Sequence, residues 1–169
     1  MGFADAFLPE FDHEMVNTRR TLERVPEDKF AWKPHDKSTS LGRLASHVAD
    51  LPGFATIIFK VDSLDMAAPG GARRQPANAS NRQELLAAFD KNVVEAHAAI
   101  AGAPDEAFKQ KWALLRAGKE IFNLPRAAVL RAFMLSHLIH HRAQLGVYLR
   151  LNDVAVPSIY GPSADEDTF

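Results

Sequence analysis

The chain has 169 residues, 47% of them hydrophobic and 24% charged, with a formal net charge of -1 and no cysteine. At this length one core buries about two thirds of the unfolded surface, so a single domain over residues 1–169 needs no covalent staple, and near-neutral charge gives no footprint for nucleic acid or an anionic membrane. The missing cysteine excludes disulfides, thiolate nucleophiles and sulfur-held zinc, which makes the 7 histidines the residues to follow.

From residue 3 to about 25, Phe7, Leu8, Phe11, Met15, Leu22 and Val25 recur every three or four positions, which predicts a first helix closed by Pro26. Residues 26–39 are polar and hold Pro26 and Pro34, yet Phe30 and Trp32 predict a connection pinned to the core by aromatics. Ser38, Thr39 or Ser40 can cap a second helix, read from residue 41 towards 61 with Leu44, His47, Leu51, Phe54 and Ile58 on one face. Pro52-Gly53 should kink or break it. Residues 67–80 lack periodicity and read as a mobile loop in which Gly70-Gly71 is a flexible turn. A third helix is expected over 82–101, with Leu86, Phe89, Val93 and Ile100 inward.

In residues 102–124, Trp112, Leu114 and Leu115 stand before Ala117-Gly118, with Ile121 and Phe122 after it, which predicts a short hairpin or an irregular crossover. Pro125 suits the first turn of a fourth helix, and the run to Arg150 carries Val129, Leu130, Phe133, Met134, His137, Leu138, His141, Leu145 and Tyr148 at helical spacing. The tail from 152 to 169 holds Pro157, Gly161 and Pro162 and should wrap the surface without regular structure. Four amphipathic helices in one domain predict an all-α, four-helix bundle, a fold that builds metal and ligand sites between facing helices. Residues 1–9 hold Asp5 and no basic residue, unlike a secretory signal, and the uncharged stretch at 51–59 falls well short of the about 20 residues that span a bilayer. A soluble, cytoplasmic protein is expected.

The informative constellation is Ser136-His137-Leu138-Ile139-His140-His141-Arg142. His137 and His141 are one helical turn apart on one face, close enough for both imidazoles to reach one ion, whereas His140 lies about 100° around the helix from His141. Two histidines at this spacing are often ordinary hydrogen-bonded residues. Here Leu130, Met134, Leu145 and Tyr148 continue their stripe, and an imidazole buried among apolar residues needs a partner. His47 interrupts the inward face of the second helix in the same way. Three imidazoles on two faces that must pack together are accounted for by a shared divalent ion at about 2.1 Å from each nitrogen, which leaves coordination positions open for water or substrate.

The remaining candidates are weaker. His97 is read as a partly buried structural residue, and His13 and His35 as solvated. Glu14 and Asp50 are read as surface or salt-bridged carboxylates, and Arg142 as a partner in surface ion pairs. Gln144 lies just beyond the histidine pair and could orient a ligand. Leu138 stands where a His-Glu-x-x-His peptidase carries its glutamate, and neither a phosphate loop, a dinucleotide fingerprint nor a nucleophile elbow is present.

Trp32-Lys33-Pro34-His35, then Ser40-Leu41-Gly42-Arg43-Leu44-Ala45-Ser46-His47, then His137-Leu138-Ile139-His140-His141-Arg142-Ala143-Gln144-Leu145, then Val156-Pro157 and Tyr160-Gly161-Pro162-Ser163-Ala164-Asp165-Glu166 together resemble the DinB/YfiT-like family over nearly the whole chain. The family more often has Gly where this chain has Ala143. The resemblance implies an up-down-down-up four-helix bundle, a homodimer, and a zinc or nickel ion held at positions matching His47, His137 and His141. It also implies metal-dependent chemistry on a low-molecular-weight thiol, as in the family's S-transferases and a thiol-dependent isomerase. With no cysteine in the chain, that thiol would be diffusible. Two rival readings stay open: a non-catalytic, stress-associated module that binds metal or ligand, and a polar core network without metal.

Overall fold

The computed structural model describes residues 2–68 and 78–167. The expected loop at 67–80, with its Gly70-Gly71 turn, therefore lies mostly outside the described residues. Four long helical segments surround one core. The first, α1 (Phe3–Glu23), buries Phe7, Phe11, Met15 and Leu22 as the spacing predicts. It leads into the aromatic-pinned connection, where Trp32 meets the edge of Tyr148 with ring centroids 5.5 Å apart.

The second segment breaks where Pro52 removes a backbone donor. α2 (Leu41–Asp50) gives way to one tight turn, Leu51–Gly53, and then to α3 (Phe54–Lys60). The third segment is α4 (Arg82–Ala101), capped by the Asn81 side chain, which accepts from the Glu84 N–H at 2.8 Å. Its fully buried residues are Leu85, Phe89, Ala96 and Ile100, while Leu86 and Val93 are only partly covered. A short α5 (Asp105–Lys109) follows.

An all-α class needs correction, because a three-stranded sheet stands between the third and fourth segments. β2 (Lys111–Arg116) and β3 (Lys119–Pro125) form the antiparallel hairpin expected at Ala117-Gly118, and β1 (Ser63–Asp65) adds to β2 in parallel. Both turn residues have positive φ, 51° and 77°, as a two-residue hairpin turn requires. Asp65 closes it by accepting the Ala117 and Gly118 N–H groups at 2.9 and 2.7 Å. Pro125 ends β3 and precedes the helix rather than starting its first turn.

The fourth segment is continuous but not uniform. α6 (Arg126–Val129) runs into a π-helical stretch, Leu130–Leu135, and then into α7 (Ser136–Arg150). α1 and α2 each pack against both α4 and α7. Residues 154–167 have no regular structure, as expected, but they are tied down: Glu166 pairs with Arg20 and Arg24 at 2.6 and 2.5 Å, and Asp165 pairs with Arg150. Among the described residues no helix is long and apolar enough to cross a membrane.

Candidate metal centre

The start of α2 is set by close backbone packing. Leu41 and Gly42 donate to the carbonyls of Trp32 and Phe30 at 2.9 and 3.0 Å, and a Cβ at position 42 would meet the Phe30 ring at 2.9 Å, so only glycine lets the connection cross the helix there. With its start fixed, α2 buries Leu41, Leu44 and Val48 and turns His47, half-buried, toward α7.

On α7 the fully buried stripe is Leu138, Arg142, Leu145 and Leu149. His137 and His141 border it and are half-buried, so the expectation that they lie within the deepest stripe is corrected. The physical reason is the preceding π turn, which holds one more residue than an α turn and carries the core side from Leu130 and Met134 on to Leu138.

The three imidazoles converge nonetheless. His137 Nε2 lies 2.9 Å from His141 Nε2 and 3.4 Å from His47 Nε2. All three nitrogens fall within 4.8 Å of one another. Ligands about 2.0–2.1 Å from one tetrahedral ion stand about 3.3 Å apart, close to these separations. The tautomer of His141 is set by Gln144, whose carbonyl Oε1 accepts from His141 Nδ1 at 2.7 Å and leaves the Nε2 lone pair aimed into the cluster. The Gln144 expectation thus has a concrete contact. Burial holds His137 below the ordinary imidazole range, helped by the neighbouring His141, and a hydrogen bond to the Phe133 backbone opposes it. Burial lowers His141 in the same way against the Gln144 hydrogen bond. Both shifts favour the neutral ring that ligates a metal.

Beside the cluster opens a cleft of about 240 Å³ lined by Thr39, Arg43, Leu44, His47, His141 and Gln144. A larger groove of about 400 Å³, mostly apolar, lies on the side of α7 turned away from the histidines, between Ile139, Val147 and the tail residues Val156 and Ile159.

The other titratable residues fall elsewhere. His140, on a different face from His141, is exposed. His13 is exposed and meets Asn17 at 3.1 Å, His35 is exposed, and His97 is half-exposed with Nε2 3.6 Å from Asp12. Arg142 overturns its surface reading: it is 4% exposed and its Nη1 stands 2.6 Å from Glu14 Oε2, itself in a side chain 6% exposed. Glu14 is thus salt-bridged but not at the surface, and Asp50 is buried as well. Arg142 also donates to the Tyr160 hydroxyl at 2.7 Å, and that hydroxyl donates to Glu14 Oε1 at 2.7 Å. The position of Arg142 between Leu138 and Leu145 was the readable sign of this burial; for Tyr160, in an irregular tail, there was none.

Comparison with known proteins agrees with the fold. The model of the DinB family matches residues 1–168. An uncharacterized Bacillus subtilis (strain 168) protein, YrdA, is 25% identical over 166 residues, covering 96% of this chain and 90% of its own. Among solved structures, a DinB-like protein of Bacillus cereus superposes with a TM-score of 0.69 at 18% identity, over 92% of this chain and 97% of that one. A DinB-like protein of Bacillus subtilis gives 0.66 at 18% identity, over 88% and 94%.

Proposed function

The chain belongs to the DinB family, and from that premise we propose that it is a metal-dependent enzyme whose His47, His137 and His141 hold one divalent transition metal, zinc or nickel. We read its helices as the family's up-down-down-up four-helix bundle and its working form as a cytoplasmic homodimer acting on a small molecule, with neither nucleic acid nor membrane as partner. The observation that carries the metal is the convergence of three imidazole nitrogens from α2 and α7, with His141 oriented by Gln144. Three nitrogens of the same kind facing one point cannot satisfy one another by hydrogen bonding alone, whereas a shared cation meets all three lone pairs.

When bound, such an ion supplies Lewis acidity that favours the ionised form of a thiol or water and polarises an electrophile. The protein's part would be to hold such an ion through the neutral imidazoles of His47, His137 and His141 at the edge of the cleft, with Leu44 as its apolar wall. No carboxylate lines the cleft among the described residues, so a hydrolase with an Asp or Glu general base is less well supported than attack by a thiol, which needs no such base once ionised. The chain has no cysteine, so the sulfur comes from a diffusible low-molecular-weight thiol.

Metal analysis of untagged protein, with a screen for conjugation of thiols to small electrophiles, tests both levels. Wild type is expected to hold close to one equivalent and His47→Ala almost none; less than about a tenth of an equivalent in wild type overturns the site. Full activity in a metal-free histidine variant overturns the metal-dependent enzyme.

A further inference from the structure

The cleft beside the histidines carries a cation that the proposed metal chemistry leaves unused. Arg43 lines it on the first turn of α2, opposite His141 and Gln144 of α7. Its side chain is exposed, and among the described residues its guanidinium has no hydrogen-bond or ion-pair partner, as is also true of Arg82 and Arg116 away from the cleft, whereas Arg19, Arg20, Arg24, Arg126, Arg131, Arg142 and Arg150 are each held by a carboxylate. No acidic residue stands in the first turn of α2 or in the cleft lining.

The helix end itself is occupied. Leu41, Gly42 and Arg43 donate their N–H groups to Trp32, Phe30 and the Ser40 hydroxyl. An anion entering here therefore meets Arg43, with Thr39 as its neighbour in the lining, rather than open backbone donors. At about 240 Å³ the cleft is smaller than the about 300–1,000 Å³ of drug-sized pockets, so its occupant is small.

We infer that this cleft selects small molecules bearing a carboxylate, which Arg43 engages while the remainder of the molecule faces the three histidines. The inference rests on the metal-dependent reading for the role of those histidines, and gives it a substrate class. A planar guanidinium matches a carboxylate in two parallel hydrogen bonds, a match that neither a neutral hydroxyl nor a glutamine can reproduce.

The test titrates zinc-loaded and metal-free protein with 3-mercaptopropionate and with 3-mercapto-1-propanol, thiols of nearly equal size that differ in the carboxylate, and follows binding by calorimetry. Wild type is expected to prefer the carboxylate by about tenfold, and Arg43→Gln to lose the preference while keeping its zinc content and melting temperature. Equal binding of the two thiols by wild type, an unchanged preference in Arg43→Gln, or no binding of either thiol overturns the inference. Failure of the metal reading shows separately, as wild-type protein that takes up no zinc. In that case a carboxylate preference that persists in metal-free wild type and vanishes in Arg43→Gln still supports Arg43 as the selector.

Discussion

His141 and Arg142 are consecutive residues on one helix, and they meet polarity in opposite ways. Arg142 points into the core and finds its partners there: an ion pair with Glu14 at 2.6 Å and hydrogen bonds to the Glu14 carbonyl at 3.1 Å, Thr18 at 3.2 Å and Tyr160 at 2.7 Å. His141, about 100° around the helix, is half-buried beside a cleft and faces two other imidazoles 4.6 Å away between ring centroids. One region is a closed network of unlike groups. The other gathers like groups around a point. A buried charge with its partners inside the chain holds structure together, whereas like donors converging beside an opening call for something from outside.

The largest effect should come from breaking the closed network. Arg142→Met leaves the Glu14 carboxylate buried without its counter-charge, which should destabilise the fold by about 3–5 kcal/mol in urea unfolding. Glu14→Leu combined with Arg142→Met should recover most of that loss, because replacing both partners removes the stranded charge. Metal uptake per folded molecule should stay near the wild-type level. A double variant no more stable than Arg142→Met would show that the pair is not the source of the loss.

Breaking the open cluster should do the reverse. His47→Ala should weaken zinc affinity by more than about a hundredfold, beyond what loss of an orienting partner causes, while metal-free stability changes by no more than about 1 kcal/mol. Competition with a chelator reads the first quantity and urea unfolding the second. Gln144→Ala is milder. It frees the His141 tautomer without removing a ligand, so zinc affinity should fall about 10- to 100-fold at unchanged stoichiometry. An unchanged affinity would mean that Gln144 does not orient the ring.

The contrast between these regions was only half legible in the sequence. His47, His137 and His141 stood out because each interrupts an apolar helical stripe, and a period of 3.6 survives small errors at helix ends. Arg142 was misplaced because the same period was carried unbroken through residues 130–135, where the chain takes a π turn and Leu138 claims the core position. The helices α1 and α4 were readable from apolar spacing alone. β1 was not: three residues are too few to show alternation, and their pairing with β2 joins positions about fifty residues apart in sequence. Tyr160 and Glu166 were beyond reach for a related reason, since an irregular tail has no period and its contacts with α1 are fixed only by the fold.

The two regions should also fail at opposite ends of the pH scale, by smaller amounts. In the metal-free protein the folded-state values of His137 and His141 lie below the ordinary 6.5, first because burial disfavours the charged rings. The unfolded chain then binds protons before the folded one, so this contribution to stability is whole above about pH 6.5 and is lost as pH falls through the folded values. Tyr160 lies on the other side. Desolvation of its hydroxyl, followed by the hydrogen bond it donates to Glu14, raises it above the ordinary 10.0, so the unfolded chain gives up its phenolic proton first. That contribution is whole below about pH 10 and is lost as pH rises through the folded value. Urea midpoints of metal-free protein should therefore slope downward from pH 7 toward 5 and from pH 9.5 toward 11. Replacing both His137 and His141 by glutamine should flatten the acid slope alone, and Tyr160→Phe the alkaline slope alone. If either variant flattens both slopes, the regions are energetically coupled through α7, and the division between a closed network and an open cluster does not hold.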